Sequence, residues 1–152
     1  IDCIVLAGYM RLLSSEFLDV YAGRMVNVHP ALLPSFPGAK APGDALDYGV
    51  KMAGCTVHFV EELVDSGPII IQAAVPVLPD DTPRVLQTRM NACEHRIYPQ
   101  ALQWLAEGRV RTRARHVSIE PPANGRDFEQ TTASIIAGGT PCLVWPPLEK
   151  GF

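Results

Sequence analysis

Short apolar runs that alternate with segments of helical spacing restrict this chain more than any other feature. The runs are Ile4 to Ala7, Met25 to Val28, Cys55 to Val60 and Pro68 to Val77. Runs that are apolar on both faces suit strands covered by helices on either side. The intervening signals are helical. Ser14 or Ser15 can cap a helix with Glu16 in its first turn, Phe17, Leu18 and Tyr21 form its apolar face, and Gly23 follows its end. Asp44 to Tyr48 suits a short helix ended by Gly49. Thr82 and Pro83 form a cap and first-turn pair, and Leu86, Met90, Cys93 and Ile97 follow at helical spacing. Pro99 is expected to interrupt that helix after Tyr98, with the apolar pattern resuming as far as Gly108. The expected class is therefore α/β, with a mostly parallel sheet.

The chain opens inside one of these runs, I-D-C-I-V-L-A, with neither Met nor a charged leader. It is expected to be a fragment whose first strands are missing. At the other end the periodicity fades. Residues 111–152 are expected to be an irregular tail of unknown role, following a domain portion at 1–110. Arg109, Arg111, Arg113 and Arg115 alternate there, as a phosphate or nucleic-acid patch would, or as a solvated exit from the last helix that also suits an edge strand. Glu120 to Gln130 reads as loop. Ala133 to Val144 is apolar but broken by Gly138, Gly139 and Pro141.

Composition narrows the function classes. Of 152 residues, 47% are hydrophobic, enough for a core. Lys and Arg total 13 against 16 Asp and Glu, so the basic excess of a nucleic-acid binder is missing. No apolar run reaches the roughly 18 residues of a membrane span. The four cysteines form no C-x-x-C pair, and no H-E-x-x-H, G-x-G-x-x-G, P-loop or G-x-S-x-G motif occurs. Neither a metal nor a hydrolytic nucleophile is suggested.

Two places at strand ends can carry chemistry. Asn27 and His29, two apart at the end of an extended run, point the same way. An amide and an imidazole on one face can polarise a carbonyl oxygen, and the imidazole can move a proton. The competing assignment is a capping Asn and a His at the core edge. Asp65, in D-S-G after the third run, can act as a base or hold His29 charged; it also suits an Asx turn. Cys55 and His58 are three apart in a strand and face opposite sides, so they are no nucleophile–base pair, and His58 is a supporting group. Glu94 and His95 lie on a helix whose default is solvent. Asn, His and Asp with no nucleophile to acylate suit direct transfer to an amine or to water.

Larger segments carry a resemblance. They are L-A-G-Y-M-R-L-L (6–13), Y-A-G-R-M-V-N-V-H-P-A-L-L-P-S-F-P-G (21–38), G-C-T-V-H-F-V (54–60), V-D-S-G-P-I-I-I-Q (64–72), E-H-R-I-Y-P-Q-A-L (94–102) and L-A-E-G-R-V (105–110). With these the chain resembles the C-terminal part of the phosphoribosylglycinamide formyltransferase family, which has a Rossmann-like formyltransferase fold. The resemblance implies 10-formyltetrahydrofolate as co-substrate and the amine of glycinamide ribonucleotide as acceptor. Asn27, His29 and Asp65 match the family's catalytic trio. Met10, Arg11, Leu13 and Val60 to Asp65 match its folate-binding segments, and Glu94, with Asn27, its ribonucleotide side. No metal, nucleic acid or membrane is implied. A cytoplasmic setting is expected, with an organellar one and homo-oligomerisation left open.

Two departures accompany the resemblance. The family's leading strands and phosphate loop are expected to be missing from this chain. Lys40 and Pro42 stand where family members carry a His after P-x-G. The alternatives are a formyltetrahydrofolate deformylase, whose G-A-K-P segment resembles G-A-K-A at 38–41, and an inactive fragment. His29-Pro30, with G-C-T-V-H-F-V and E-H-x-x-Y-P, favours the transferase. A methionyl-tRNA formyltransferase fits less well.

Overall fold

A computed structural model describes residues 1–9, 11–122, 133–135 and 139–152. The elements run β1 (Ile4–Leu6), α1 (Ser15–Val20), β2 (Met25–His29), α2 (Ala41–Tyr48), β3 (Met52–Phe59), β4 (Ile69–Pro76), α3 (Pro83–Ala106), β5 (Val110–Arg113), β6 (His116–Ile119), β7 (Ala133–Ile135) and β8 (Pro141–Trp145). Among the described residues, a six-stranded sheet has the order β1-β2-β3-β4-β8-β7, and β5 and β6 form a separate hairpin.

The expectation of a mostly parallel sheet is corrected. Only β1 and β2 run parallel, and every other pair in this sheet is antiparallel. β3 pairs antiparallel with β2 although α2 lies between them, and the β3–β4 pair follows from its connection. A parallel neighbour needs a crossover of a dozen or more residues, usually helical. The link from β3 to β4 is a polar loop without a helix, so the chain simply turns back. Runs that are buried on both faces tell which strands are central, not which way they point.

α1 is capped by Ser14, whose hydroxyl accepts from the Phe17 N–H. Its apolar residues do not reach the core: no α1 residue is buried, and Phe17 stacks on Tyr21 at 4.9 Å between ring centroids. α2 begins three residues earlier than the Asp44 expected, because Pro42 suits the first helical turn, and it ends on left-handed Gly49. α3 runs through Pro99 without stopping. Its buried stripe, Leu86, Met90, Cys93, Ile97, Ala101 and Trp104, packs on β3 and β4, and burial of that face outweighs the one hydrogen bond Pro99 forfeits.

Beyond Gly108 the described residues carry more regular structure than the fading periodicity suggested. The alternating arginines fall on and beside the β5–β6 hairpin. β8 pairs with β4, and Cys142, Val144 and Leu148 join the core. Arg109 is buried and bonded to Glu149 at 2.6 Å and Glu107 at 2.8 Å. Glu149 also accepts from Trp104 Nε1 at 3.1 Å, and its N–H donates to Gln100 Oε1 at 2.7 Å. Side-chain hydrogen bonding thus ties the C-terminal segment to α3. Residues 123–130 and 136–138, within the stretches read as loop and as apolar run, lie outside the described residues.

Candidate active site

A cavity of about 530 Å³ opens beyond the ends of β1 and β2. Leu6 to Tyr9 follow β1 into its wall, and Asn27 to Pro30 follow from β2. β3 runs the opposite way and sets His58 directly across from Asn27 in the ladder. The register slips between Val57 and His58, where β4 carries one extra residue. His58 lines the cavity, while Cys55 lies in the core among the residues that face α3.

The loop from Val60 to Ser66 returns over this opening and delivers Asp65. Asp65 has a left-handed backbone, with φ of 51°. Gly67 anchors the return: a Cβ there would lie 1.8 Å from the Phe59 carbonyl oxygen, so only glycine fits. Phe59 N–H also donates to Pro68 O at 2.9 Å, pinning the two ends of the loop together.

Asn27, His29 and Asp65 all line this cavity. Asp65 Oδ2 is 3.3 Å from His29 Nδ1 and accepts from the Gly38 N–H at 2.9 Å. The other ring nitrogen of His29, Nε2, lies 2.9 Å from the Phe36 carbonyl oxygen. A carbonyl only accepts, so Nε2 carries a proton, and Nδ1 faces a carboxylate. Asp65 Oδ1 is 3.7 Å from His58 Nε2. His58 donates from Nδ1 to the Phe59 carbonyl at 2.7 Å, and burial pushes its pKa below the ordinary value. With its proton on Nδ1, a neutral His58 turns a bare Nε2 toward Asp65 Oδ1, and that buried nitrogen has no hydrogen-bond partner among the described residues. Among the described residues the Asn27 amide has no hydrogen-bond partner, which leaves it free for a ligand.

The facing wall comes from α3. Gln87, Asn91 and Glu94 line it at helical spacing, with Gln87 Nε2 donating to Asn91 Oδ1 at 2.5 Å. Burial pushes the Glu94 carboxyl up, and neighbouring His95 opposes the shift. One turn further along, Tyr98 donates its hydroxyl to Leu6 O at 2.6 Å, and so holds α3 over β1. Arg11, Leu13 and Val60 lie in the cavity wall. Met10 lies outside the described residues. Lys40 and Pro42 start α2 and are not among the residues lining the cavity, whereas Gly38 and Ala39 are.

Several contacts had no clear sequence signal. The Phe36 carbonyl and the Gly38 N–H are backbone groups whose aim depends on the loop. Asn91 was findable, since it stands one helical turn before Glu94. Among the described residues no cluster of His, Cys, Asp or Glu could hold a metal ion, and no helix is long and apolar enough to cross a membrane.

An amide, an imidazole and a carboxylate meet around one opening, with no thiol or hydroxyl nucleophile among them, and such a set can polarise a carbonyl oxygen and move a proton. Residues 1–102 match the formyl transferase family, and the chain belongs to it. Within that family it is 46% identical over 110 residues to the phosphoribosylglycinamide formyltransferase of Escherichia coli, covering 72% of this chain and 52% of that protein. It is 53% identical over 110 residues to the trifunctional purine biosynthetic protein adenosine-3 of Bos taurus, covering 72% of this chain and 11% of that protein. The chain thus spans about half the length of the bacterial relative and a small part of the trifunctional one. Among solved structures, glycinamide ribonucleotide transformylase 1 from Symbiobacterium toebii superposes with a TM-score of 0.78 at 54% identity, covering 80% of this chain and 57% of that one. A formyltetrahydrofolate deformylase from Pseudomonas syringae superposes with a TM-score of 0.75 at 34% identity, covering 79% and 40%.

Proposed function

We propose that the protein carrying this chain transfers a formyl group from 10-formyltetrahydrofolate to the amine of glycinamide ribonucleotide. The observation that carries the proposal is the meeting of Asn27, His29 and Asp65 in one cavity whose opposite wall holds Asn91 and Glu94. The acceptor amine attacks the formyl carbon. The Asn27 amide donates to the oxygen as it becomes an oxyanion, and the charge on His29 stabilises it further. Asp65 orients His29 through Nδ1 and takes up the proton that the attacking nitrogen loses, directly or across one water. Collapse of the tetrahedral centre breaks the bond to N10 of the folate, which receives that proton. The products are the formylated amide and tetrahydrofolate. Arg11, Leu13 and Val60, together with Met10, hold the folate, and Glu94 with Asn27 holds the amine side.

The similarity to a deformylase makes water the competing acceptor. The polar α3 wall favours the amine: Gln87, Asn91 and Glu94 offer donors and acceptors to a hydroxyl-rich substrate that water would leave unused. A cytoplasmic setting and a homo-oligomeric state belong to the same proposal. The test incubates the whole protein with 10-formyltetrahydrofolate, with and without glycinamide ribonucleotide. Formylated ribonucleotide, formed only when both are present, supports the reading. Formate released at the same rate without the ribonucleotide overturns it in favour of the hydrolase.

A further inference from the structure

Away from the cavity, three cysteines lie buried where α3 meets the sheet: Cys55 on β3, Cys93 on α3 and Cys142 on β8. Two of them are closely set. Cys93 donates to Cys142 with a sulfur–sulfur separation of 3.2 Å, although 49 positions separate them in the chain. A disulfide needs a separation of about 2.05 Å, so a small approach of the two side chains closes the bond. Cys55 is directed elsewhere, with Sγ donating to the Met90 carbonyl at 3.9 Å.

We propose that Cys93 and Cys142 are a thiol-oxidation site that closes into an intramolecular disulfide when it meets a small peroxide, fastening β8 to the helix that forms one wall of the cavity. Both thiols are only 1% exposed, which shields them from bulky disulfide reagents and makes local opening the route by which a small oxidant reaches them. Cys142 accepts the Cys93 S–H, and this acceptor sulfur is the one assigned the first attack. The hydrogen bond from Cys93 holds the Cys142 thiol below its ordinary pKa against the opposing effect of burial, and the positive charge of Arg96 assists. The same hydrogen bond and burial push the Cys93 thiol up, and Cys93, the donor of the pair, is the resolving partner.

The chemistry balances. The Cys142 thiolate attacks one peroxide oxygen, the O–O bond breaks, and a sulfenic acid forms with release of hydroxide, which takes up a proton as water. The Cys93 sulfur then attacks the Cys142 sulfur. The S–S bond forms, the S–O bond breaks, and the hydroxyl leaves with the Cys93 proton as a second water. Two thiols are oxidised, and one peroxide is reduced to two waters. Cys93 is followed directly by Glu94, so the bond restrains the backbone beside a cavity-lining residue.

The test uses the intact chain. It is exposed to dilute hydrogen peroxide, its remaining thiols are alkylated, and it is digested without reduction. The expected result is a loss of two of the four alkylatable cysteines, with one peptide pair linked through Cys93 and Cys142 and released again by dithiothreitol. The oxidised chain should also unfold at a higher urea concentration, a gain that Cys142→Ala and Cys93→Ala abolish. Should either variant fail to fold, the peptide map of the unaltered chain decides alone. Four free thiols, unlinked sulfinic acids at the two positions, or a link running to Cys55 or Cys3 would each overturn the proposal.

Discussion

Asp65 Oδ2 lies 3.3 Å from Nδ1 of His29, and the two residues reach each other from different strand ends, one closing β2 and one riding the loop after β3. The carboxylate is buried enough that its charge is not spent on solvent, and the Gly38 N–H holds its orientation. Replacing Asp65 by Asn keeps an acceptor for Gly38 and removes the negative charge. In formyl transfer by the whole protein, Asp65→Asn should lower kcat by about 10²- to 10³-fold with little change in folate KM. Steady-state kinetics with folate as the varied substrate checks this. An equal loss in folate affinity with kcat intact would remove Asp65 from the chemistry.

The unpartnered amide of Asn27 gives a second prediction. Asn27→Ala deletes a donor to the oxyanion without unseating any contact inside the protein. It should cost about 10²-fold in kcat and leave thermal stability nearly unchanged. A drop in melting temperature as large as the drop in rate would show that the amide is structural.

Gly67 tests the loop that carries Asp65. In Gly67→Ala the new Cβ meets the Phe59 carbonyl oxygen at 1.8 Å, and backbone on both sides must move. The expected loss is about 3 kcal/mol, read as a lowered midpoint in urea unfolding. A midpoint within error of the unaltered chain would mean that the loop closes in some other way.

His58 makes stability depend on pH. Burial holds its folded pKa below the unfolded value near 6.5, so the unfolded chain binds the proton more readily. Its contribution is therefore fully present above the unfolded value and is lost as pH falls from there toward the folded value. Urea unfolding at about pH 7.5 and about pH 5.5 should show lower stability at the acid end. His58→Gln should flatten that part of the profile. An unchanged slope in the variant would assign the loss to other groups.

The network under the C-terminal segment is exposed to a single substitution. Glu149→Ala strips the buried Arg109 of its 2.6 Å partner and leaves Trp104 Nε1 without that acceptor. The cost should be about 3 kcal/mol. If the double variant Arg109→Met with Glu149→Met recovers much of that stability, unpaired charge rather than lost volume is the cause.

The local patterns in this sequence already determined a good deal. The helical stripe from Leu86 to Ile97, the caps at Ser14 and Thr82, and the positions of the central strands all follow from side-chain spacing and turn chemistry, which act over a few residues. Asn27 and His29 share a face because alternate residues of a strand do so. The motifs running from Leu6 to Val110 carried the family. Strand direction was decided elsewhere. A strand buried on both faces reads the same whether its neighbour is parallel or antiparallel; β3 lies antiparallel to β2 although α2 stands between them, and the short loop after β3 turns β4 back again. Pro99 would break an isolated helix, yet α3 passes through it because its buried face is held by β3 and β4. The continuation of the core into Cys142, Val144 and Leu148 depended on β8 finding the edge of β4, a pairing with no local signature. The site followed the same division: its residue types could be read along the chain, but the 3.3 Å between His29 and Asp65, the Gly38 N–H behind the carboxylate and the nearness of His58 exist only once the loop after β3 folds back over the end of β2.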